Sequence, residues 1–294
     1  MHEQDQLAER FETHRAHLRA VAYRMLGSLN EADDAVQESW LRLSRADVTG
    51  VANLAAWLQT VVSRVCLDML RSRASRREDP VGQQVPDRIR DADDEGDPEH
   101  EALLIDLVGR ALLVVLDTLV PAERIAFVLH DMFAVPFDQI APIVERTPAT
   151  TKKLASRARR KVRGTPAAPR TELARHRHVV DAFLAAARSG DLNALLAVLA
   201  PDVLRRADPA VLPPGAPTEI RGARAVAEET VVLGRRSRFA APALVNGVVG
   251  VVVAPRGRLL LVLTLTIEGE KITEYEVIAA PARLRQLDLA VLDE

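Results

Sequence analysis

The sequence lacks the features of a secreted or membrane-embedded protein. It has one cysteine, Cys66, in 294 residues, so no disulfide framework can form within the chain. Its first residues, MHEQDQLAERF, are charged and include no apolar signal segment, and the best apolar run, around 259–265, is too short to span a membrane. We therefore expect a cytoplasmic protein of two or three domains that has no signal peptide and makes no contact with a membrane.

The chain also lacks a large net charge of either sign. Its 39 basic and 41 acidic residues give a formal net charge of -2, which ordinarily argues against nucleic-acid binding. The charges are unevenly distributed, however. Residues 152–163 include seven basic and no acidic residues, 62–78 include five basic and two acidic, and 79–106 include two basic and ten acidic. Blocks of opposite sign indicate that different segments meet different partners.

Helical spacing of apolar residues dominates the first part of the chain. It predicts a first helix that breaks at 27–30, where Ser28 or Asn30 could cap a second helix, and a third helix over roughly 54–73. The stretch 79–99 is rich in acids, Pro and Gly, which is typical of a flexible linker. Helices are predicted again over 100–119 and from Pro121.

A helix-turn-helix pattern follows. A short helix over 136–146, a turn at Thr147–Pro148 and a second helix over 149–162 are predicted, and the second helix bears the seven cations. Short side chains at its start can approach bases while the cations pair with phosphates. A solvated basic helix face is the alternative, although so many cations without a compensating acid disfavour it.

The last part of the chain changes pattern. A helix ended by Gly190 and a short helix over 191–200 precede Pro201, and Thr- and Val-rich runs after residue 240 predict strands of an antiparallel sheet. The fold class is therefore multidomain, with all-α parts followed by an α+β domain.

Three groups of residues have two interpretations from the sequence alone. Arginines on and after the third helix could follow a nucleic-acid backbone or interact with the helix dipole. Trp40 and Trp57 could pack in a core or stack on bases, with packing favoured. Asp33, Asp34 and Glu38 could form a partner-binding face or be ordinary helix N-terminal acids.

Two segments resemble the extracytoplasmic-function (ECF) sigma factors of the sigma-70 family. EADDAVQESWLRL with NLAAWLQTVVSRVCLDMLRSR is similar to region 2, and LDTLVPAERIAFVLHDMFAVPFDQIAPIVERTPATTKKLASRARRKVR is similar to region 4. The remainder resembles the SnoaL-like (NTF2-like) cone domain of a subset of these factors. The resemblance implies region 2 over 5–78, an acidic linker over 79–99, region 4 over 100–164, a linker over 165–173 and the SnoaL-like domain over 174–294.

The resemblance also implies roles for individual residues and partners. Core RNA polymerase, through its β′ and β subunits, and promoter DNA would be the partners; no cofactor, metal or catalytic site is expected, and an unidentified small ligand could bind the SnoaL-like domain. The loop 45–53 would capture a flipped base of the −10 element. The residues implied are Asp33, Asp34, Gln37, Glu38 and Trp40 for polymerase binding; Asn53, Trp57, Arg64, Arg71 and Arg73 for the −10 element and melting; and Thr150, Thr151, Lys152, Lys153, Arg157 and Arg160 for the −35 element.

The sequence departs from its relatives at two motifs. The linker reads PVGQQVPDRI, without the tryptophan-leucine-proline motif of some relatives, and the stretch after Arg206 has no glycine run. An autoregulatory contact made by those motifs must be built differently here.

Two other functions are compatible with parts of the sequence. Cyclase relatives of the cone domain make Asp181, Asp208, His176 and His178 candidate catalytic groups, although we expect no enzyme activity. A one-component helix-turn-helix regulator with a ligand-binding domain is the competing function, and it has no use for a region 2 helix.

Overall fold

A computed structural model describes residues 2–46, 51, 53–75, 109–213 and 215–292. The predicted acidic linker, residues 100–108 of the predicted helix over 100–119, and most of the loop 45–53 lie outside these residues. Contacts divide the chain into two compact units, 1–79 with 116–160 and 80–115 with 161–294.

The first unit begins with three helices, α1 (His2–Leu26), α2 (Leu29–Leu43) and α3 (Leu54–Ser75). The predicted break lies at Gly27, whose φ of 72° is in the left-handed region that glycine adopts without strain. Of the two predicted caps, Ser28 is the one used, since its side chain accepts a hydrogen bond from the Glu31 backbone. The helices bury Leu18, Val21, Val36, Leu58 and Val62 between them.

Four further helices follow: α4 (Arg110–Asp117), α5 (Pro121–Phe127), α6 (Phe137–Val144) and α7 (Pro148–Arg163). A π-helical turn, Val128–Met132, extends α5. Between α6 and α7 the chain turns at Glu145, which is left-handed with φ 57°. The helix-turn-helix pattern is thus confirmed, with α6 ending slightly earlier than predicted because the turn begins at Glu145.

The second unit is built on a sheet of seven strands in the order β2-β1-β6-β5-β4-β3-β7. The strands are β1 (Leu199–Ala207), β2 (Glu219–Arg221), β3 (Ala240–Val245), β4 (Val248–Val253), β5 (Leu261–Glu268), β6 (Lys271–Ile278) and β7 (Leu289–Ala290). Its helices are α8 (Arg170–Ser189), α9 (Leu192–Val198), α10 (Ala223–Leu233) and α11 (Pro281–Leu284), with 3₁₀ turns at Pro209–Val211, Gly234–Phe239 and Pro255–Gly257.

The sheet is mixed, which corrects the expectation of a wholly antiparallel one. Strands β3 to β6 pair antiparallel in sequence order, and Asn246–Gly247, both with positive φ, form the turn between β3 and β4. Strand β1 instead pairs parallel with β6. Strand β1 contains Pro201, where the sequence predicted only a break. The β1–β6 register shifts between Leu199 and Leu204, and such a bulge accommodates a residue that has no N–H.

Apolar side chains are buried on both faces of this sheet. The larger cluster joins Phe183 and Leu184 of α8 to Val251, Leu261 and Tyr275 of the strands. A second cluster includes Val114 and Val115 of α4, which pack with Val245, Val252 and Val262. The first turns of α4 therefore belong to the core of the C-terminal α+β domain, and the fold is the predicted α+β cone type.

Candidate nucleic-acid interface

The start of α7 is fixed by a hydroxyl cap. The Thr147 Oγ1 accepts a hydrogen bond from the Thr150 backbone N–H at 3.2 Å and lies 3.0 Å from the Thr150 hydroxyl. In the turn before this cap, the left-handed position is occupied by Glu145 and not by glycine. The cap satisfies a backbone N–H at the helix end that would point toward a bound duplex.

Five exposed cations of α7 make no hydrogen bond or ion pair with any described residue: Lys152, Lys153, Arg157, Arg160 and Arg163. At 100° per residue, Lys153, Arg157 and Arg160 fall within an arc of about 60°, and Thr150 lies beside them. We call Lys153, Arg157 and Arg160 the basic stripe. Lys152 lies about 80° away from the nearest member of the stripe, Arg160.

Two residues of α7 have other roles. Thr151 is 0% exposed, and its hydroxyl donates to the Thr147 carbonyl at 3.0 Å. Its side chain therefore lies inside the helix-turn-helix core, which corrects the predicted contact with the −35 element. Arg159 is half-buried, and its Nε donates to Asp131 Oδ1 at 2.5 Å. Arg159 thus joins α7 to the π-helical turn before α6.

On α3, three predicted −10 residues share one face. Trp57, Arg64 and Arg71 follow one another at intervals of seven residues, which places them about 20° apart around the helix. Both arginines are exposed and Trp57 is half-buried. A stacking ring beside two cations is the combination that single-stranded nucleic acid requires.

The other two predicted −10 residues make hydrogen bonds within the first unit. Asn53 caps α3, since its Oδ1 accepts from the Ala56 N–H at 3.0 Å. Arg73 points the other way: its guanidinium donates to the Leu26 carbonyl at 3.1 and 3.2 Å and pairs with Glu31 at the start of α2. In this structure Arg73 therefore holds the ends of α1 and α3 together.

Within the first unit, the α3 face meets the end of α6. Arg64 donates to the Pro142 carbonyl at 3.4 Å, and Arg71 lies 3.4 Å from Glu145. Phe133 packs edge-on to the His17 ring at 5.5 Å and lies under Arg24 at 5.2 Å. These contacts could not be predicted from sequence patterns, because they join residues about 70 or more positions apart.

A buried arginine lies at the same junction. Arg124 of α5 is 2% exposed, and its Nη1 donates to Asp117 at 3.1 Å, while its Nε has no partner among the described residues. Burial lowers the pKa of Arg124, and burial also raises the pKa of the nearby Cys66 thiol. Cys66 is therefore a protonated core residue.

The predicted polymerase-binding residues lie on α2. Asp33, Asp34 and Gln37 are exposed, and Glu38 is partly exposed. Asp33 forms a two-point ion pair with Arg19 at 2.7 and 3.0 Å, and Glu38 pairs with Arg42 at 2.9 Å. Trp40 packs against Phe11 at 5.2 Å, as the packing interpretation predicted. Asp34 and Gln37 make no such bond with the described residues.

The candidate catalytic groups of the C-terminal domain do not converge. Asp208 accepts from the Ala279 and Ala280 backbones at 2.9 Å each and from Arg283 at 2.6 Å. Burial acts to raise the pKa of Asp208, but these donors outweigh it and hold that pKa below its usual range. Asp181 is exposed near Arg177. None of Asp181, Asp208, His176 and His178 lines the cavity among the strands of this domain.

Sequence reasoning did not single out the polar groups that do line this cavity: Arg205, Glu229, Thr230, Ser237 and Tyr275. Arg205 is 1% exposed and pairs with Glu229 through two hydrogen bonds, one of 2.7 Å. No sequence pattern marked Arg205, which is one of two adjacent arginines in β1.

Among the described residues, no helix is long and apolar enough to cross a membrane. In the same part of the chain, no group of three or more His, Cys, Asp or Glu side chains is placed to hold a metal ion.

The described residues include a basic helix-turn-helix, a helical domain with an aromatic and cationic face, and an α+β extension. Together these features define the chain as a DNA-binding transcription protein with a helical accessory domain. Family models match at sigma-70 region 2 over residues 10–76 and at sigma-70 region 4 over residues 109–162.

Individual relatives extend the match. The chain is 40% identical to the ECF RNA polymerase sigma factor SigJ of Mycobacterium tuberculosis over 248 residues, which is 82% of this chain and 78% of that protein. It is 37% identical to the probable ECF RNA polymerase sigma factor SigI of that organism over 98% of both chains. A crystal structure of SigJ aligns at 32% identity over 95% of this chain and 98% of that one, with a TM-score of 0.45. The chain belongs to the ECF RNA polymerase sigma factor family, and it carries a C-terminal α+β extension.

Proposed function

We propose that this sigma factor, acting in the cytoplasm without a catalytic site of its own, binds core RNA polymerase and directs it to promoters through three surfaces. The basic stripe of α7 contacts the −35 duplex, the Trp57, Arg64 and Arg71 face of α3 with Asn53 holds the melted −10 strand, and the acidic face of α2 binds the polymerase. The observation that carries the proposal is the basic stripe, three exposed cations without a partner among the described residues, on the second helix of a helix-turn-helix.

Reconstituted transcription tests this proposal directly. Purified chain added to core polymerase is expected to give transcripts whose 5′ ends share upstream −35 and −10 elements. Failure to bind core polymerase, or failure to direct initiation from any mapped promoter, would sink the assignment of these surfaces. A one-component regulator, the competing function, would bind DNA without the polymerase.

The first unit supports a further part of this proposal: the described arrangement is a closed state. The −35 and −10 elements lie about 25 base pairs apart, which is roughly 85 Å of duplex at about 3.4 Å per base pair. Arg64 meanwhile lies 3.4 Å from the Pro142 carbonyl of α6. Helix α3 cannot hold the −10 element while α7 holds the −35 element unless this contact breaks. Promoter binding therefore requires the two helical domains to separate.

Fluorescence energy transfer measures this separation. Ser75→Cys at the end of α3 and Asp138→Cys on α6 place labels on exposed positions of the first unit. Transfer is expected to be high in the free chain and low in the complex with polymerase and promoter. Equal transfer in the two samples would contradict the closed state.

We also propose that the extension regulates region 4. Support comes from contacts within the second unit: Val114 and Val115 pack against the sheet, Arg110 donates to the Ala254 carbonyl at 2.7 Å, and the Val291 N–H bonds to the Val162 carbonyl at 2.8 Å. Both ends of the region 4 segment are thereby tied to the extension.

Two changes test the regulatory role. Deletion of 171–294 is expected to change promoter activity and leave polymerase binding largely intact. Because the deletion also uncovers Val114 and Val115, Arg110→Ala in the full chain is the milder arm and is expected to change activity in the same direction. Unchanged transcription with both variants would reject regulation by the extension.

A further inference from the structure

The C-terminal domain contains a cavity of about 110 Å³ between the sheet and helices α8 and α10. Its wall is mainly apolar: Phe183 and Ala187 come from α8, Val251 and Val253 from β4, and Leu261 and Leu263 from β5. An apolar cavity of about 150 Å³ in another protein holds a benzene molecule. Benzene has six non-hydrogen atoms, so the smaller space here suits at most about six, such as one small ring.

The polar part of the wall is a buried ion pair. Arg205 donates through Nε to Glu229 Oε2 at 2.7 Å, through Nη2 to Glu229 Oε1, and through Nη1 to the Pro217 carbonyl at 3.1 Å. A guanidinium has five N–H groups. Two of those on Arg205 are therefore left without an acceptor among the described residues, and they can donate to a ligand oxygen.

A tyrosine provides a second polar contact. The Thr230 hydroxyl donates its one proton to the Val226 carbonyl at 2.8 Å, so the Tyr275 hydroxyl, 3.2 Å away, must be the donor to Thr230. The Tyr275 oxygen can therefore accept a hydrogen bond from a ligand. Burial raises the pKa of Tyr275 to about 12, so the phenol stays neutral near pH 7.

The charges of the wall determine which ligands can enter. Arg205 and Glu229 neutralise each other, so a third charge would leave the buried cavity with an unbalanced net charge, which is costly. A carboxylate would face Glu229 and an ammonium would face Arg205. We propose that this cavity is a binding site for a small, uncharged, mainly apolar molecule bearing one carbonyl or hydroxyl oxygen. The site does not depend on the promoter-binding roles proposed above, because it lies wholly within the C-terminal domain.

Binding to the free full-length chain tests the site, with cyclopentanone and cyclopentanol as the neutral probes. Saturation-transfer NMR is expected to give dissociation constants in the millimolar range or below. Cyclopentylammonium and cyclopropanecarboxylate each have six non-hydrogen atoms, as the neutral probes do, and carry opposite charges, and they are expected to bind at least tenfold more weakly. Failure of both neutral probes to bind at about 10 mM, or equal binding of a charged probe, would overturn the proposal.

Substitutions locate the binding within the chain. Ala187→Leu adds three carbon atoms to the cavity wall and is expected to weaken cyclopentanone binding at least tenfold. Ala185→Leu places the same side chain at an exposed position of α8 and should leave binding unchanged. If Ala187→Leu does not give a cooperative thermal transition, Val253→Leu on the opposite wall replaces it. A folded filling variant that binds cyclopentanone normally would show that the probe binds elsewhere.

Discussion

The basic stripe of α7 makes a quantitative prediction about salt. The variant Lys153→Ala/Arg157→Ala/Arg160→Ala removes three exposed cations that make no bond with the described residues, so its effect on folding should be small. If each cation neutralises one phosphate, the slope of log K against log salt concentration should become shallower by about 0.9 per residue, or about 2.7 in total.

This change in slope predicts a changing ratio of affinities. Between 50 and 200 mM salt, a slope difference of about 2.7 reduces the ratio of wild-type to variant affinity roughly 40-fold. The assay is fluorescence anisotropy of a promoter duplex with the reconstituted holoenzyme across that salt range. Using the holoenzyme keeps the remaining polymerase contacts the same for both proteins.

Arg159→Ala is the matched single-charge variant for comparison with Arg157→Ala. Arg159 lies on the same helix but pairs with Asp131 and is half-buried. Its removal should leave the slope near the wild-type value, whereas Arg157→Ala should lower it by about 0.9. An unchanged slope for the triple variant, or an equal loss for Arg159→Ala, would refute the assignment of the stripe to phosphate contacts.

Three predictions concern stability. Asn53→Ala removes the cap of α3 and should cost about 1 kcal/mol in urea unfolding, whereas Asn53→Asp should retain most of it. Asp208→Asn removes a carboxylate that two backbone N–H groups and Arg283 hold, and it should lower the free energy of unfolding by about 2 kcal/mol at pH 7. Because the folded pKa of Asp208 is lowered, the difference in stability from wild type should be lost as pH falls below about 4. A difference in thermal melts that stays constant with pH would contradict this. The folded pKa of Tyr275 is raised to about 12, so the neutral phenol stabilises the fold below about pH 10, and this stabilisation is lost as pH rises toward 12. Thermal melts of Tyr275→Phe, which cannot ionise, should not show this loss of stability at alkaline pH.

Sequence patterns predicted the local features of the site well. The helix-turn-helix and the cation-rich second helix depend on spacing within about 30 residues, and so does the C-cap at Gly190. The seven-residue spacing of Trp57, Arg64 and Arg71 likewise places them on one face from the sequence alone. Properties that follow from helical period are fixed by the order of residues along the chain, so a single sequence suffices for them.

Non-local packing accounts for what the sequence missed. Arg73 pairs with Glu31, 42 positions away, and nothing in its neighbourhood distinguishes it from Arg71. Thr151 looks like its exposed neighbour Thr150 until α7 packs in the helix-turn-helix core. Strand β1 was missed because Pro201 indicates a break, and only pairing with β6 shows that a bulge accommodates it.

The polar contacts of the first unit are weak, which favours the opening that we propose for promoter binding. The contact between Arg71 and Glu145 joins two largely exposed side chains, and such pairs contribute at most about 1 kcal/mol. Arg124 is buried and its Nε has no partner among the described residues, so part of its desolvation cost is returned if water reaches the junction. DNA phosphates offer Arg64 and Arg71 stronger partners than a carbonyl and one exposed carboxylate. Under the proposal above, promoter and polymerase contacts need to outweigh mainly the apolar packing of α3 against α5 and α6. Arg64 and Arg71, which make only weak contacts in the described arrangement, are then the cations proposed to bind the −10 strand.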